Sequence, residues 1–279
     1  MSKKRAEKRF QVVVTLVIIL LLVLSFIPIA LMVMLSFKTN AEVYSNFFAL
    51  PKRINWDNYA SALKLLGQNM YNTVAVVLIA VALTLILSAV CGYVFARMNF
   101  PGKNFLYVIL MALMMVPGIL YLAPNYSLVQ QYGIFNTWWA LILPWISGGQ
   151  VLGIILCRNS LEALPKDLFE AAKLEGCGEI RCLNFITVPL IKPILSTVAV
   201  LKMVDYYNDF IWPMMVIESN KKQVITVAVR VFASSQSNGG GQIGPMFAGY
   251  VIATVPVFLL FMFTSRLYME GMTAGAVKG

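Results

Sequence analysis

Six long apolar stretches separated by polar segments set the pattern of this chain. Each is long enough to cross a bilayer as a helix, which takes about 20 apolar residues and satisfies its own backbone groups in lipid. They fall at Val12–Phe37, Met70–Phe95, Phe105–Asn125, Thr137–Cys157, Phe185–Tyr206 and Met246–Arg266. The first four are nearly free of charge; the fifth carries Lys192, Lys202 and Asp205. The alternating pattern of about ten residues that marks a membrane barrel does not occur. The pattern predicts an all-α polytopic membrane protein with six transmembrane helices and one transmembrane domain over residues 1–279.

The polar segments differ in character. Lys38–Gln68, with Trp56-Asp57-Asn58-Tyr59 inside it, is long for a connection and is expected to fold locally or meet a partner. Ser234–Gly244 is small, polar and Gly-rich, and is expected to be a mobile linker. Gly149-x-x-x-Gly153 in the fourth stretch is a close-packing signal between membrane helices. Pro28, Pro117, Pro124, Pro144, Pro189, Pro193, Pro213 and Pro256 lie in or at the ends of spans, as kinks that a bundle tolerates.

Composition agrees with the membrane reading and adds an orientation. The chain has 279 residues, 59% hydrophobic and 12% charged, where soluble chains carry about a quarter charged residues. Lys and Arg concentrate in the N-terminal segment, the loops after spans two and four, and the tail. The positive-inside rule then puts both termini in the cytoplasm. The net charge of +10 is assigned to that face and to anionic lipid, and not to nucleic acid. The run from Val12 is too long for a cleavable signal core and is expected to be the first span. Histidine is absent, which removes imidazole acid–base chemistry and His-ligated metal. Cys91, Cys157, Cys177 and Cys182 match no zinc or redox spacing and are expected to be reduced, small apolar residues.

The segment Arg158–Asn184 is the longest charged stretch on the cytoplasmic side. Pro165 marks a helix start, and Asp167 with Glu170 is expected to form a capping box. Ala171 and Ala172 favour helix with little bulk. Gly176 permits the positive φ that ends it, ahead of a second helix leading into span five. Leu168, Ala171, Ala172 and Glu175 share one face by spacing. A helix lying on lipid carries a Lys/Arg-rich polar face; this loop mixes signs, which favours a protein groove.

Glu170-Ala171-Ala172, then Glu175-Gly176 and the distal Pro189, resemble the EAA loop of ABC importer permeases. The carbohydrate-type permeases of the maltose and glycerol-3-phosphate kind are the nearest likeness. It runs nearly end to end, through Ser36-Phe37-Lys38, Phe100-Pro101-Gly102 and Asn136-Thr137 with Ala140 to Pro144. It continues through Asn208-Asp209-Phe210 with Trp212-Pro213 and the tail from Gly271. Glu175 stands where that family usually has Asp, Cys177 where it has Ala, Phe169 where it often has Glu, and Tyr207 where Trp is common.

The resemblance implies a type I ABC importer permease fold in a bacterial or archaeal inner membrane. It implies a non-catalytic subunit that moves a sugar or related polyol into the cell. The loop would be the coupling helix seated in a cleft of an ATPase. Glu170 would make polar contacts there, Ala171, Ala172, Glu175 and Gly176 would shape a close fit, and Pro189 would shape the entry to span five. The implied partners are an ATPase dimer that holds ATP and Mg, a second permease subunit in a heterodimer, an extracytoplasmic solute-binding protein and membrane lipid. No cofactor, metal or nucleic acid is expected on this chain, which has no Gly-x-x-x-x-Gly-Lys-Ser/Thr phosphate loop. The alternative is a self-sufficient secondary transporter or channel, which more often shows internal repeats. A membrane enzyme is disfavoured by the lack of His and of paired carboxylates.

Lys202, Asp205 and Asp209 follow at spacings of three and four, which puts them on one helical face. Charge inside a membrane faces the bundle interior or a wet cavity. Two readings stay open: Asp205, Asn208 and Asp209 line a translocation path, or Lys202 and Asp205 form a structural pair at the end of the span. Trp138 and Trp139, at the start of span four, are expected in an interfacial belt.

Overall fold

The structure is a computed structural model that describes residues 2–237 and 241–276. Its regular elements among these residues are all helical. In chain order they are α1 (Ser2–Ser36), α2 (Asn40–Ser45), α3 (Asp57–Arg97), α4 (Lys103–Leu113), a 3₁₀ turn (Gly118–Tyr121), α5 (Leu122–Gln131) and α6 (Trp139–Glu162). Then come α7 (Lys166–Leu174), α8 (Glu179–Arg181), a π-helical stretch (Cys182–Thr187), α9 (Val188–Leu190) and α10 (Lys192–Asn208). α11 (Ile211–Val216), α12 (Ile225–Ser237) and α13 (Ile243–Ala276) complete the order.

Four helical stretches are long and apolar enough to cross a membrane unbroken: Phe10–Ser36, Asp57–Arg97, Trp139–Glu162 and Ile243–Met262. The other two expected spans are not continuous helices. Lys103–Leu113 and Gly118–Gln131 meet at 99°, and Glu179–Leu190 and Lys192–Asn208 meet at 76°. Six crossings are reached when each bent pair counts as one span. The first break has a local cause. Pro117 sits at φ −57°, ψ 129°, brings no N–H to the ladder and pushes Val116 out of the helical region. At the second, Ile191 takes φ −93°, ψ 9°, and Pro193 cannot donate to the carbonyl of Pro189.

The chain forms two compact units. One comprises residues 1–67 and 229–255. Here Lys38–Gln68 does fold locally. Thr39 and Glu42 close a reciprocal capping box on α2, and Asp57 onward is already helix. Phe37 packs against Trp56 and Tyr59, ring centroids 5.2 and 5.1 Å apart. Asn58 donates to the carbonyls of Ser36 (2.8 Å) and Lys38 (2.9 Å). Lys38 is buried, its ammonium held by the carbonyls of Asn46 (2.9 Å) and Phe47 (3.0 Å). Asn40 bonds the carbonyl of Gly241 (3.0 Å) and the amide of Ile243 (2.7 Å). Residues 238–240 of the expected Ser234–Gly244 linker, and 277–279 of the tail, lie outside the described residues.

The second unit comprises residues 68–228 and 256–279. Its core joins Val76 and Ala80 of α3 to Leu141, Ile142 and Trp145 of α6 and Val216 of α11. The expected close approach through Gly149 and Gly153 is present. A Cβ on Gly149 would overlap the Tyr206 hydroxyl of α10, and one on Gly153 would overlap Ser88 of α3. That hydroxyl bonds the Trp145 carbonyl (2.8 Å) and Thr84 (3.0 Å), and its ring stacks on Trp145 at 5.2 Å. Small residues thus bring α3, α6 and α10 together with their polar groups satisfied.

Candidate functional site

The loop after α6 forms a short, firmly terminated helix. α7 begins at Lys166 with Pro165 before it, and no side chain caps its start. The expected Asp167–Glu170 capping box is therefore absent: Asp167 lies inside the first turn, two residues past the N-cap position held by Pro165. The end is as expected. Gly176 takes φ +78°, its N–H meets the carbonyl of Lys173 (3.0 Å), and that of Cys177 meets Ala172 (2.9 Å). This pair of bonds is the Schellman closure, which requires a left-handed residue at the Gly176 position.

α7 divides its side chains between two environments. Glu170, Ala171, Glu175 and Gly176 are exposed, as are Leu168 and Leu174, the latter at 90%. Ala172 is half-buried, so the face expected from spacing is split. Phe169 points the opposite way and is buried with Tyr93, Cys157, Leu161, Cys182 and Ile191. It is a root for the helix and is not part of the outward surface. Pro189 is exposed within α9, just before the bend at Ile191.

Arg97, at the end of α3, holds this arrangement and was not singled out by the sequence reading. Its guanidinium lies 4.0 Å from the centroid of the Phe169 ring. The same group donates to the carbonyls of Leu161 and Leu164, the latter at 3.1 Å. One side chain therefore caps the end of α6 and stacks on α7, using the planar, multi-donor geometry that Lys lacks. A second tie joins Lys173 to Glu179 at 2.7 Å, and Tyr93 donates to the same carboxylate. The bond to Glu179 holds the Lys173 ammonium above its ordinary pKa. The sequence signal for Arg97 was only its place as the last charge before a turn.

Of the three intramembrane charges, Lys202 and Asp205 share a face as expected and Asp209 parts from them. Lys202 and Asp205 form an ion pair at 2.8 Å. Asn208 donates to the Val204 carbonyl of its own helix (3.0 Å). Asp209 leaves α10 in an extended conformation (φ −64°, ψ 126°), so it turns away from the helical face that its spacing predicted. Its carboxylate accepts from Trp145 Nε1 (2.7 Å) and from the Trp212 N–H (3.3 Å). Trp145 and Trp212 are buried beside it, while Trp139 at the start of α6 is half-exposed. A cavity of about 520 Å³ opens between the break of the third span, α6 and Asp209. A second, of about 420 Å³, lies on the Asp205–Asn208 side, and Trp145 and Asp209 line both.

Comparison with known proteins gives consistent matches. Residues 86–270 match the family described as binding-protein-dependent transport system inner membrane component. The chain is 30% identical to the diacetylchitobiose uptake system permease protein NgcG of Streptomyces coelicolor, over 98% of this chain and 91% of that one. It is 29% identical to the arabinooligosaccharides transport system permease protein AraQ of Halalkalibacterium halodurans (90% and 91% covered). It is 28% identical to the trehalose transport system permease protein SugB of Mycobacterium tuberculosis (91% and 92%). In fold it is similar to a chain of a bacterial ABC transporter involved in the import of the acidic polysaccharide alginate, with a TM-score of 0.82 at 20% identity, covering 94% and 97%. A structure of the bacterial alginate ABC transporter in complex with an alginate pentasaccharide-bound periplasmic protein matches at a TM-score of 0.64 and 14% identity, covering 95% and 97%.

Proposed function

The chain belongs to the family of binding-protein-dependent transport system inner membrane components, and from that premise we propose that α7 couples it to a separate ATPase that drives sugar import. The chain is a membrane permease subunit of an ABC importer and carries no catalysis of its own. Its partners in this reading are a second permease subunit, an ATPase dimer that binds ATP and Mg, and an extracytoplasmic binding protein that delivers solute. Both termini face the cytoplasm, and α7 lies on that side with them.

The observation that carries the coupling role is the two-sidedness of α7. Glu170, Ala171, Leu168 and Leu174 face outward, while Phe169 anchors the opposite side beneath Arg97. A push on the outward face passes through the Phe169–Arg97 stack to the ends of α3 and α6. Through Lys173 and Glu179 it passes to α8, and onward to the bend at Ile191 and α10. Glu175 and Gly176 close the helix so that the push cannot simply unwind it. The bends by Pro117 and Pro189 are the compliant points of such a bundle.

The sugar assignment rests on the kinds of solute named for the relatives: diacetylchitobiose, arabinooligosaccharides and trehalose. Asp205, Asn208 and Asp209 are assigned to the solute path, with Asp205 also held by Lys202. A co-expressed complex tests the coupling role. Glu170→Lys and Gly176→Val are each expected to reduce both ATPase co-purification and energised uptake. Survival of both properties in both variants rejects it, and uptake by the chain alone would favour the self-sufficient transporter instead.

A further inference from the structure

We propose that Cys177 and Cys182 form a reversible redox switch in the turn between α7 and α8, where hydrogen peroxide joins them in a disulfide that arrests transport. The arrest deepens the coupling reading above and rests on it; the oxidation site stands on its own geometry. Gly178 is the N-cap of α8, in extended conformation (φ −70°, ψ 161°), and the N–H of Cys182 meets its carbonyl at 2.9 Å. Cys177 and Cys182 therefore occupy the N′ and N4 positions, whose side chains meet across a helix start as a hydrophobic staple. Here both halves of the staple are thiols.

The surroundings keep the two thiols together and make them unequal. Cys182 is fully buried and donates to the Cys177 carbonyl at 3.6 Å. Cys177 packs against the same buried cluster but is only half-buried, its thiol directed to the Gly178 carbonyl at 3.8 Å. Burial and contact with Cys177 push the Cys182 thiol above its ordinary pKa, so the more accessible Cys177 reacts first. Its thiolate attacks one oxygen of the peroxide, the O–O bond breaks, and a sulfenic acid and one water result. The Cys182 sulfur then attacks the sulfenic sulfur; the S–S bond forms, the S–O bond breaks and a second water leaves. The two thiols give up two electrons and two protons, and the peroxide is reduced to two waters. Among the described residues no group of three His, Cys, Asp or Glu could hold a metal ion, which leaves oxidation as the chemistry that two adjacent thiols share.

The turn is the joint that a coupling stroke crosses. Gly176 and Gly178 flank Cys177, and a Cβ on either meets no atom within 4 Å, so the turn has room to change shape. Across it α7 is tied to α8 by the ion pair of Lys173 with Glu179 at 2.7 Å, both side chains about half-exposed. An ion pair in that setting is weak and opens readily. A disulfide is covalent and holds its sulfurs at about 2.05 Å, with about 3.5–4.5 Å between the Cβ atoms. It would fasten the end of α7 to the helical stretch that leads to the bend at Ile191, and α7 could no longer swing against α8. In a reducing cytoplasm such bonds are transient and sense oxidant, so the thiols are unlinked in the working transporter.

The complete transporter in nanodiscs, treated with hydrogen peroxide, gives the test through its ATPase turnover and through mass spectrometry of unreduced tryptic peptides. Trypsin cuts between the two cysteines, after Arg181, so the disulfide is expected to link two peptides that dithiothreitol separates. Turnover is expected to fall with the bridged fraction, about tenfold when nine-tenths of the chain is bridged, and to return with dithiothreitol. Cys177→Ala and Cys182→Ala are each expected to keep their turnover under the same peroxide; Cys177→Ala, at the half-buried position, carries the comparison if Cys182→Ala does not assemble. No linked peptide, or one that joins Cys182 to Cys157 of the same buried cluster, overturns the switch while the coupling reading stands. A bridge that leaves turnover unchanged, or an equal loss in Cys177→Ala, overturns the arrest. A wild-type chain that retains no ATPase defeats the coupling reading and the arrest together, and the linked peptide then decides the oxidation site alone.

Discussion

Truncating Phe169 to Ala asks whether α7 is rooted in the membrane helices or only tethered by its turns. The ring is 5% exposed and sits among Tyr93, Leu161 and Ile191 with the Arg97 guanidinium 4.0 Å above it. Removing a buried Phe side chain costs about 3–5 kcal/mol in well-packed cores. The stacked guanidinium accounts for about 0.5–2 kcal/mol of such a site. α7 has nine residues, and Phe169 is its one fully buried side chain, so the loss falls on local undocking and not on global unfolding. At about 3 kcal/mol, the undocked population rises about a hundredfold, since 1.4 kcal/mol is tenfold. Hydrogen exchange of the Glu170–Leu174 amides in nanodiscs reads this directly. Leu174→Ala, at a 90% exposed position, serves as the control that leaves exchange alone. An increase below about threefold, or one spread equally over α3 and α6, refutes the rooted-helix argument.

Three further outcomes are expected. Gly176→Ala strains a left-handed position with open space around it, which costs about 1–2 kcal/mol of turn stability. Gly176→Asn should recover part of the ATPase co-purification that Gly176→Ala loses. Gly149→Ala forces a methyl against the Tyr206 hydroxyl, and overpacking of this kind costs about 1–3 kcal/mol. Its melting temperature should fall, and Tyr206→Phe in the same chain should restore part of the loss. The Glu42 carboxylate accepts from the backbone amides of Thr39 and Lys52, which lowers its pKa below 4.5. A lowered folded pKa means the cap is fully present above the unfolded value and is lost as pH falls through the folded one. Protection of the Thr39 and Lys52 amides, measured against intrinsic exchange at each pH, should therefore fall on acidification, and Glu42→Gln should remove that fall.

Much of the architecture was readable because lipid restricts the options. An apolar run of membrane length has to be helical, so the long crossings in α1, α3, α6 and α13 followed from composition. Gly176 was readable because a helix end needs one left-handed residue and only Gly takes it freely. The capping box was sought at Asp167–Glu170, whereas the Thr39-x-x-Glu42 signature, equally visible, forms the real one. Pro165 decided that difference by fixing where α7 begins. Helical spacing put Asp209 beside Asp205, but the chain leaves α10 at Asn208 and turns the carboxylate to two Trp donors.

By itself the sequence determined the membrane class, the six apolar stretches, four of which the structure keeps as unbroken helices, and the short charged helix ending at Gly176. Each of these depends on residues close together in the chain, where periodicity and backbone preference act. Tertiary structure alone decided that Phe169 faces inward, that Arg97 joins the ends of α3 and α6 to α7, and that Trp145 and Asp209 line two cavities. Those facts depend on groups that lie far apart in sequence, 64 residues between Trp145 and Asp209 and 67 between Arg97 and Leu164. Packing brings them together, and no local pattern encodes which apolar or charged residue will find which partner.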